Sequence, residues 1–192
     1  NLQMSFYLDI VAMVFGMPRA LFPAIATAWY GGSLADVALI VGLLSAAPAV
    51  GSIVATVFSG PLGKVRRQGL AVVVSICVWG GAIAVFGLVR ALPVALVLLA
   101  IAGGADSVSA IFRSTILQAA TPDDYRGRLQ GIFTVVVVGG PRLGDVEAGA
   151  VAEVFGETVS AVSGGLLCLV FTGALVAAVP AFLRYDAEHP VP

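Results

Sequence analysis

Seven ionisable side chains stand inside stretches that would otherwise read as uninterrupted membrane-spanning helices: Asp9, Arg19, Asp106, Arg113, Arg142, Asp145 and Glu147. Arg19 lies in the apolar run 11–30, Arg113 in 94–120 and Arg142 in 131–152. A charged group near the centre of a bilayer costs about 2.5–3.5 kcal/mol on insertion scales. Such a cost is carried where partners or a watery path offset it, so these residues read as a polar seam along a substrate or proton pathway. Asp106 sits mid-helix among Gly103, Gly104, Ser107 and Ser109, with Arg113 seven residues on. That is about 10 Å along the axis and on nearly the same face. Arg113 either joins the seam or snorkels to the cytoplasmic interface. Arg142 and Asp145, three apart, either form a local ion pair or face a solute. Glu147 points elsewhere on that helix, and Asp9, nearer the cytoplasmic end, is expected to be solvated. As a proton carrier Asp106 is preferred over Asp145, because an arginine beside a carboxylate lowers its pKa.

The elements that must hold these groups follow from composition. The chain is 59% hydrophobic and 11% charged, with a net charge of −1 and a mean hydropathy of +1.04. Soluble domains carry about 25% charged residues, so this is an integral membrane protein whose expected surroundings are a lipid bilayer. No basic face interleaved with aromatics points to nucleic acid. The single histidine, His189, lies in the tail, which argues against a histidine-based metal site, and nothing suggests a cofactor. Cys77 and Cys168 fall inside apolar helices and read as small core hydrophobes. The chain opens on Asn1 with its first methionine at Met4, and no basic segment precedes the first apolar run. That first run is therefore not expected to be a signal peptide, and the sequence looks like a piece of something longer.

Six spans are expected at about 5–29, 36–60, 69–89, 93–119, 127–152 and 158–183, each near the 20 residues a crossing needs. Together they form one all-α, polytopic six-helix domain over 1–186, with a cytoplasmic tail at 187–192. Lys64, Arg66, Arg67, Arg126, Arg128 and Arg184 fall in one set of connections and Arg90 alone in the other. That bias places both termini in the cytoplasm. Gly42, Ser45, Ala46, Ala47, Gly51 and Ser52 give the second span a small-residue face for close packing. Pro18, Pro23, Pro48, Pro141 and Pro180 interrupt the spans. Pro18 and Pro141 each directly precede a buried arginine, which suits either a broken helix lining a cavity or an ordinary kink. Trp29 and Tyr30 read as interfacial anchors.

The connections carry a resemblance. Gly60-Pro61-Leu62-Gly63-Lys64-Val65-Arg66-Arg67-Gln68-Gly69 resembles the G-x-L-a-D-R-x-G-R-R signature that major facilitator transporters place between helices two and three of each half. Lys64 stands where that signature has its aspartate. Pro122-Asp123-Asp124-Tyr125-Arg126-Gly127-Arg128 resembles the P-x-x-x-R-G-R segment after the fourth helix of a half. The stretches 9–23 and 139–149 look like the bacterial enterobactin-exporter-like branch. The resemblance implies the C-terminal half of a twelve-helix transporter in the bacterial cytoplasmic membrane, built from two inverted three-helix repeats. It further implies efflux of a siderophore or drug-like molecule by alternating access, proton coupling, cytoplasmic latches at the basic motifs, and an N-terminal six-helix half as partner. The enzyme alternative, an intramembrane serine protease at Ser163, needs a histidine base near the serine, and His189 lies beyond the last span. A channel or structural subunit remains the other alternative, although a channel favours a ring of repeated charges.

Overall fold

The computed structural model describes residues 2–16, 18–120 and 123–185. Pro122, the expected tail 187–192 and its His189 lie outside them. The described chain is all-α: α1 (Leu2–Phe15), α2 (Phe22–Ile25), α3 (Leu34–Val57), α4 (Gln68–Phe86), α5 (Leu92–Ala120), α6 (Asp123–Phe155) and α7 (Glu157–Ala178). Among the described residues, five segments are long and apolar enough to cross a membrane: Gln3–Tyr30, Leu34–Val57, Gln68–Phe86, Leu92–Ala119 and Glu157–Ala178. The 33-residue α6 is longer than any of these, but Arg142, Asp145 and Glu147 within two turns make it more polar.

The first apolar segment is not one helix. α1 ends at Phe15, and a 3-10 turn follows at Pro18–Leu21. The short α2 then runs into a π-helical turn at Ala26–Tyr30. Pro18 and Pro23 supply the break, since neither has an N–H for the ladder. Pro48 and Pro141 behave differently from the expected interruptions, and α3 and α6 run through both. Neighbouring helices in a bundle can take up a carbonyl that proline frees. Around Pro141 the packing is tight, with Gly140 and Gly144 seated on Met13 and Val14 of α1. The last helix stops at Ala178 because Pro180 follows, leaving 180–184 as a 3-10 turn.

Caps set the remaining boundaries. Gly31 and Gly32 take positive φ (62° and 102°), turning the chain sharply after the π turn. Ser33 then caps α3, its Oγ accepting from the Asp36 N–H at 3.3 Å while Asp36 accepts from the Ser33 N–H at 2.9 Å. A single residue, Gly156, joins α6 to α7 with φ +88°. The segment Asp123–Arg128 forms the start of α6 and not a loop.

α5 packs between α3 and α4, α4 between α5 and α7, and α1 and α6 pack on each other and on α7. Glycine makes the closest seams. A Cβ at Gly51 would run into the Ala100 carbonyl, and one at Gly103 into the Pro48 carbonyl. Ser52 adds a hydrogen bond across that seam, its Oγ donating to the Gly103 carbonyl at 3.0 Å. Two apolar clusters result. Met4, Leu8, Val72, Ile76, Phe112, Ile116, Phe182 and Tyr185 gather at the end that carries the Gly60–Lys64 turn. Leu21, Phe22, Ile25, Leu44, Trp79, Phe86 and Leu99 gather towards the other. Arg90 closes that second end, its guanidinium 3.7 Å above the Trp29 ring and donating to Thr158 Oγ1 at 2.6 Å. Leu39, Val57, Val135, Leu166 and Val170 remain exposed on the outer surface, as a lipid-facing bundle requires.

Candidate functional site

The break in the first segment and the middle of α5 face one another, and the charged residues gather there. Arg113 turns into the bundle. Its Nη1 lies 2.8 Å from Asp9 Oδ1 and its Nη2 lies 3.6 Å from Asp106 Oδ1. The Arg113 and Asp9 side chains are 3% and 1% exposed, so two of the expectations are corrected. Asp9 is not solvated, because Leu8, Met4, Phe112, Phe182 and Tyr185 close that end of the bundle around it. Arg113 does not snorkel, because its guanidinium is the counter-charge Asp9 needs once water is excluded. Asp106 has no arginine next to it in sequence, yet two helical turns bring Arg113 to it.

Asp106 also opens onto a cavity of about 570 Å³ between the helix break, α3, α4 and α5. Its walls include Phe22, Pro48, Trp79 and Leu99, with Arg19 at the rim. A second cavity, of about 430 Å³, is lined by Arg19, Ala20, Val138, Pro141, Arg142 and Asp145. Arg19 and Arg142, 123 residues apart in sequence, therefore line one opening together with Pro141. Arg142 and Asp145 are 4.0 Å apart with the arginine 85% exposed, a loose contact of small energetic weight. Glu147 stands aside, in a crevice with Phe15, Pro18, Leu21 and Ser160.

Trp79 completes the site and was not foreseen. Its indole Nε1 donates to the Gly16 carbonyl at 2.7 Å, a buried bond between α4 and the C-terminal end of α1. Gly16 has no room for a Cβ, because one would meet Trp79 Nε1 and the Ala12 carbonyl. The bond satisfies a carbonyl the helix break exposes and fixes where the break places Arg19. Trp79 is mid-helix in α4, whereas membrane tryptophans favour the interfaces, and that offset was the signal available in the sequence. Trp79→Phe keeps a ring and removes the donor. We expect it to destabilise the chain by about 1–3 kcal/mol, read as a lower melting temperature in detergent, and an unchanged melting temperature would remove the bond from the argument.

The basic motifs lie apart from the cavities. Gly60 and Lys64 begin and end an exposed 3-10 turn, and Arg66 and Arg67 are exposed just before α4. The Gln68 N–H donates to the Tyr185 carbonyl at 3.2 Å, tying this turn to the C-terminal segment. Arg128 is exposed in the first turns of α6, and the side chain of Arg126 lies outside the described residues. No group of three or more His, Cys, Asp or Glu side chains among the described residues is gathered to hold a metal ion.

No protein-family profile matches the chain, and no solved structure does. Curated relatives do. The chain is 32% identical over 181 residues to the enterobactin exporter EntS of Citrobacter koseri, covering 91% of this chain and 41% of that protein. It is 31% identical over 172 residues to the enterobactin exporter EntS of Escherichia coli K12, covering 90% of this chain and 40% of that protein. The exporter of Salmonella typhimurium is 32% identical over 175 residues, with the same two shares of 90% and 40%. The chain thus spans about two fifths of the length of these relatives. Over nearly all of its own length it is a multi-pass membrane homologue of the enterobactin exporters, which are major facilitator proteins.

Proposed function

We propose that this chain is the C-terminal six-helix half of a major facilitator exporter that moves a siderophore or drug-like solute out of the bacterial cytoplasm by alternating access. The observation that carries the reading is the charged network Asp9–Arg113–Asp106 opening onto a cavity lined by Arg19, which also lines a second cavity with Arg142. An apolar bundle with no polar cargo has no use for such a path. The likeness to enterobactin exporters supports efflux and a siderophore as cargo. In this reading α6 is the sixth span, two three-helix repeats make up the half, and an N-terminal six-helix half faces the cavities. Both termini and the Lys64–Arg67 turn lie in the cytoplasm, which the gathering of Met4, that turn and Tyr185 at one end supports. Protons couple the movement, with Asp106 as carrier, since it is the carboxylate of the network that reaches the cavity.

The test compares the chain alone with the chain co-expressed with an N-terminal six-helix half, in cells lacking their own enterobactin exporter. Enterobactin should appear in the medium only from the pair. Efflux from the chain alone, shown to be a monomer by light scattering, would overturn the half-transporter reading.

A further inference from the structure

Arg19 belongs to two cavities at once. It lines the 570 Å³ cavity together with Asp106, and the 430 Å³ cavity together with Arg142. The basic groups at this junction are open and the acidic ones covered. Arg19 is exposed and the Arg142 side chain is 85% exposed, whereas Asp145 is 28%, Asp106 33% and Asp9 1% exposed. Arg113 is already engaged by two carboxylates. The two guanidinium forks are the more exposed charges that line these cavities. Planar forks of this kind suit carboxylates, sulfonates and phenolates, which they bind through paired hydrogen bonds.

Beyond Arg19 the larger cavity is apolar and ringed. Phe22 and Trp79 line it with Ile53, Ile83 and Leu99, and its volume falls in the range of small-molecule sites, about 300–1,000 Å³. The charge tally limits what enters. Arg19 and Arg142 are the guanidinium groups lining the two cavities and together can hold one acidic group, whereas a second would meet no further guanidinium in that lining. We propose that the two cavities form one site for an amphiphilic monoanion, its acidic group held between Arg19 and Arg142 and its ring-bearing body against Trp79 and Phe22. The inference rests on the solute-carrying reading above and narrows its cargo class.

Three naphthalene probes with the same ring separate the possibilities: 2-naphthoate, 2-naphthalenemethanol and 2-naphthylmethylammonium. The full chain is placed in phospholipid nanodiscs with Trp29→Phe, leaving Trp79 as its only tryptophan, and quenching is corrected with empty nanodiscs. Naphthoate should quench Trp79 saturably and about tenfold more tightly than the alcohol, equivalent to 1.4 kcal/mol. Arg19→Gln and Arg142→Gln should each abolish that preference, while Arg19→Lys and Arg142→Lys should retain part of it. An unchanged Trp79 emission maximum in each variant shows that the cavity is still built. Equal binding of acid and alcohol, or a preference indifferent to both arginines, would overturn the anion assignment while leaving a solute cavity. Tightest binding of the ammonium probe, lost in Asp106→Asn, would overturn it in favour of a cation site. Absence of saturable quenching by all three would overturn the site assignment, whereas the half-transporter reading stands or falls on efflux from the co-expressed pair.

Discussion

Arg113→Met should lose about 3–5 kcal/mol of stability, the penalty for stranding one partner of a buried ion pair. The substitution conserves much of the volume of the stem and removes the guanidinium that pairs with Asp9, whose side chain is 1% exposed. Asp106 loses the same partner but borders a cavity, so the damage falls mainly on Asp9. The size of the effect therefore depends on what stands at position 9. Asp9→Asn combined with Arg113→Met should recover much of the loss, since it removes the stranded charge along with its counter-charge. Melting curves followed by size-exclusion chromatography in detergent would give all the values of the cycle. If Arg113→Met melted with the parent chain, the pair would not exist in the folded bundle.

The second large effect is expected where α3 meets α5. Gly103→Leu and Gly51→Leu each force a side chain into the carbonyl of the facing helix, at Pro48 and Ala100. Overpacking a core costs about 1–3 kcal/mol when side chains can shift. Here the obstacle is backbone, so two helices must separate and the Ser52–Gly103 hydrogen bond breaks with them. We expect each variant to fall at the top of that range or beyond it, with loss of monodisperse protein. Gly42 and Gly81 provide the control, because a Cβ at either meets open space. Gly42→Ala and Gly81→Ala should be neutral or stabilise the chain by up to about 1 kcal/mol through helix propensity. A tolerated leucine at Gly103 would contradict the close approach of these helices.

Local pattern and long-range pairing were not equally legible in the sequence. The all-α membrane architecture follows from runs of apolar residues, and a run reports its own burial. The proximity of Asp106 and Arg113 follows from helical geometry, because both lie on α5. The partnership of Arg113 with Asp9 does not, since 104 residues separate them and depth along a helix says nothing about what folds over its end. Asp9 seemed near the interface by counting residues, but Phe182 and Tyr185 return from the far end of the chain to cover that region. Pro18 and Pro141 have nearly the same sequence surroundings and opposite outcomes. One opens a 3-10 turn beside Trp79, whose indole takes up the Gly16 carbonyl at the break, and the other rides inside a helix packed against α1. The distinction lies in the neighbours of each proline, which a single local motif does not encode. The meeting of Arg19 with Arg142 is the same kind of fact.

The one-residue joint at Gly156 bears on how the chain enters the bilayer. α7 is apolar enough to partition unaided, whereas α6 carries Arg142, Asp145 and Glu147 near its middle and would linger at the translocon. Gly156 leaves no slack between them, and Ser160 Oγ, about one turn after the joint, already donates to the Ala148 carbonyl, about two turns before it, at 2.8 Å. In the proposed topology the two therefore go in as a hairpin. α6 waits for α7 to be synthesised, and biogenesis of this pair is governed by the later of the two helices and not by the order in which they emerge.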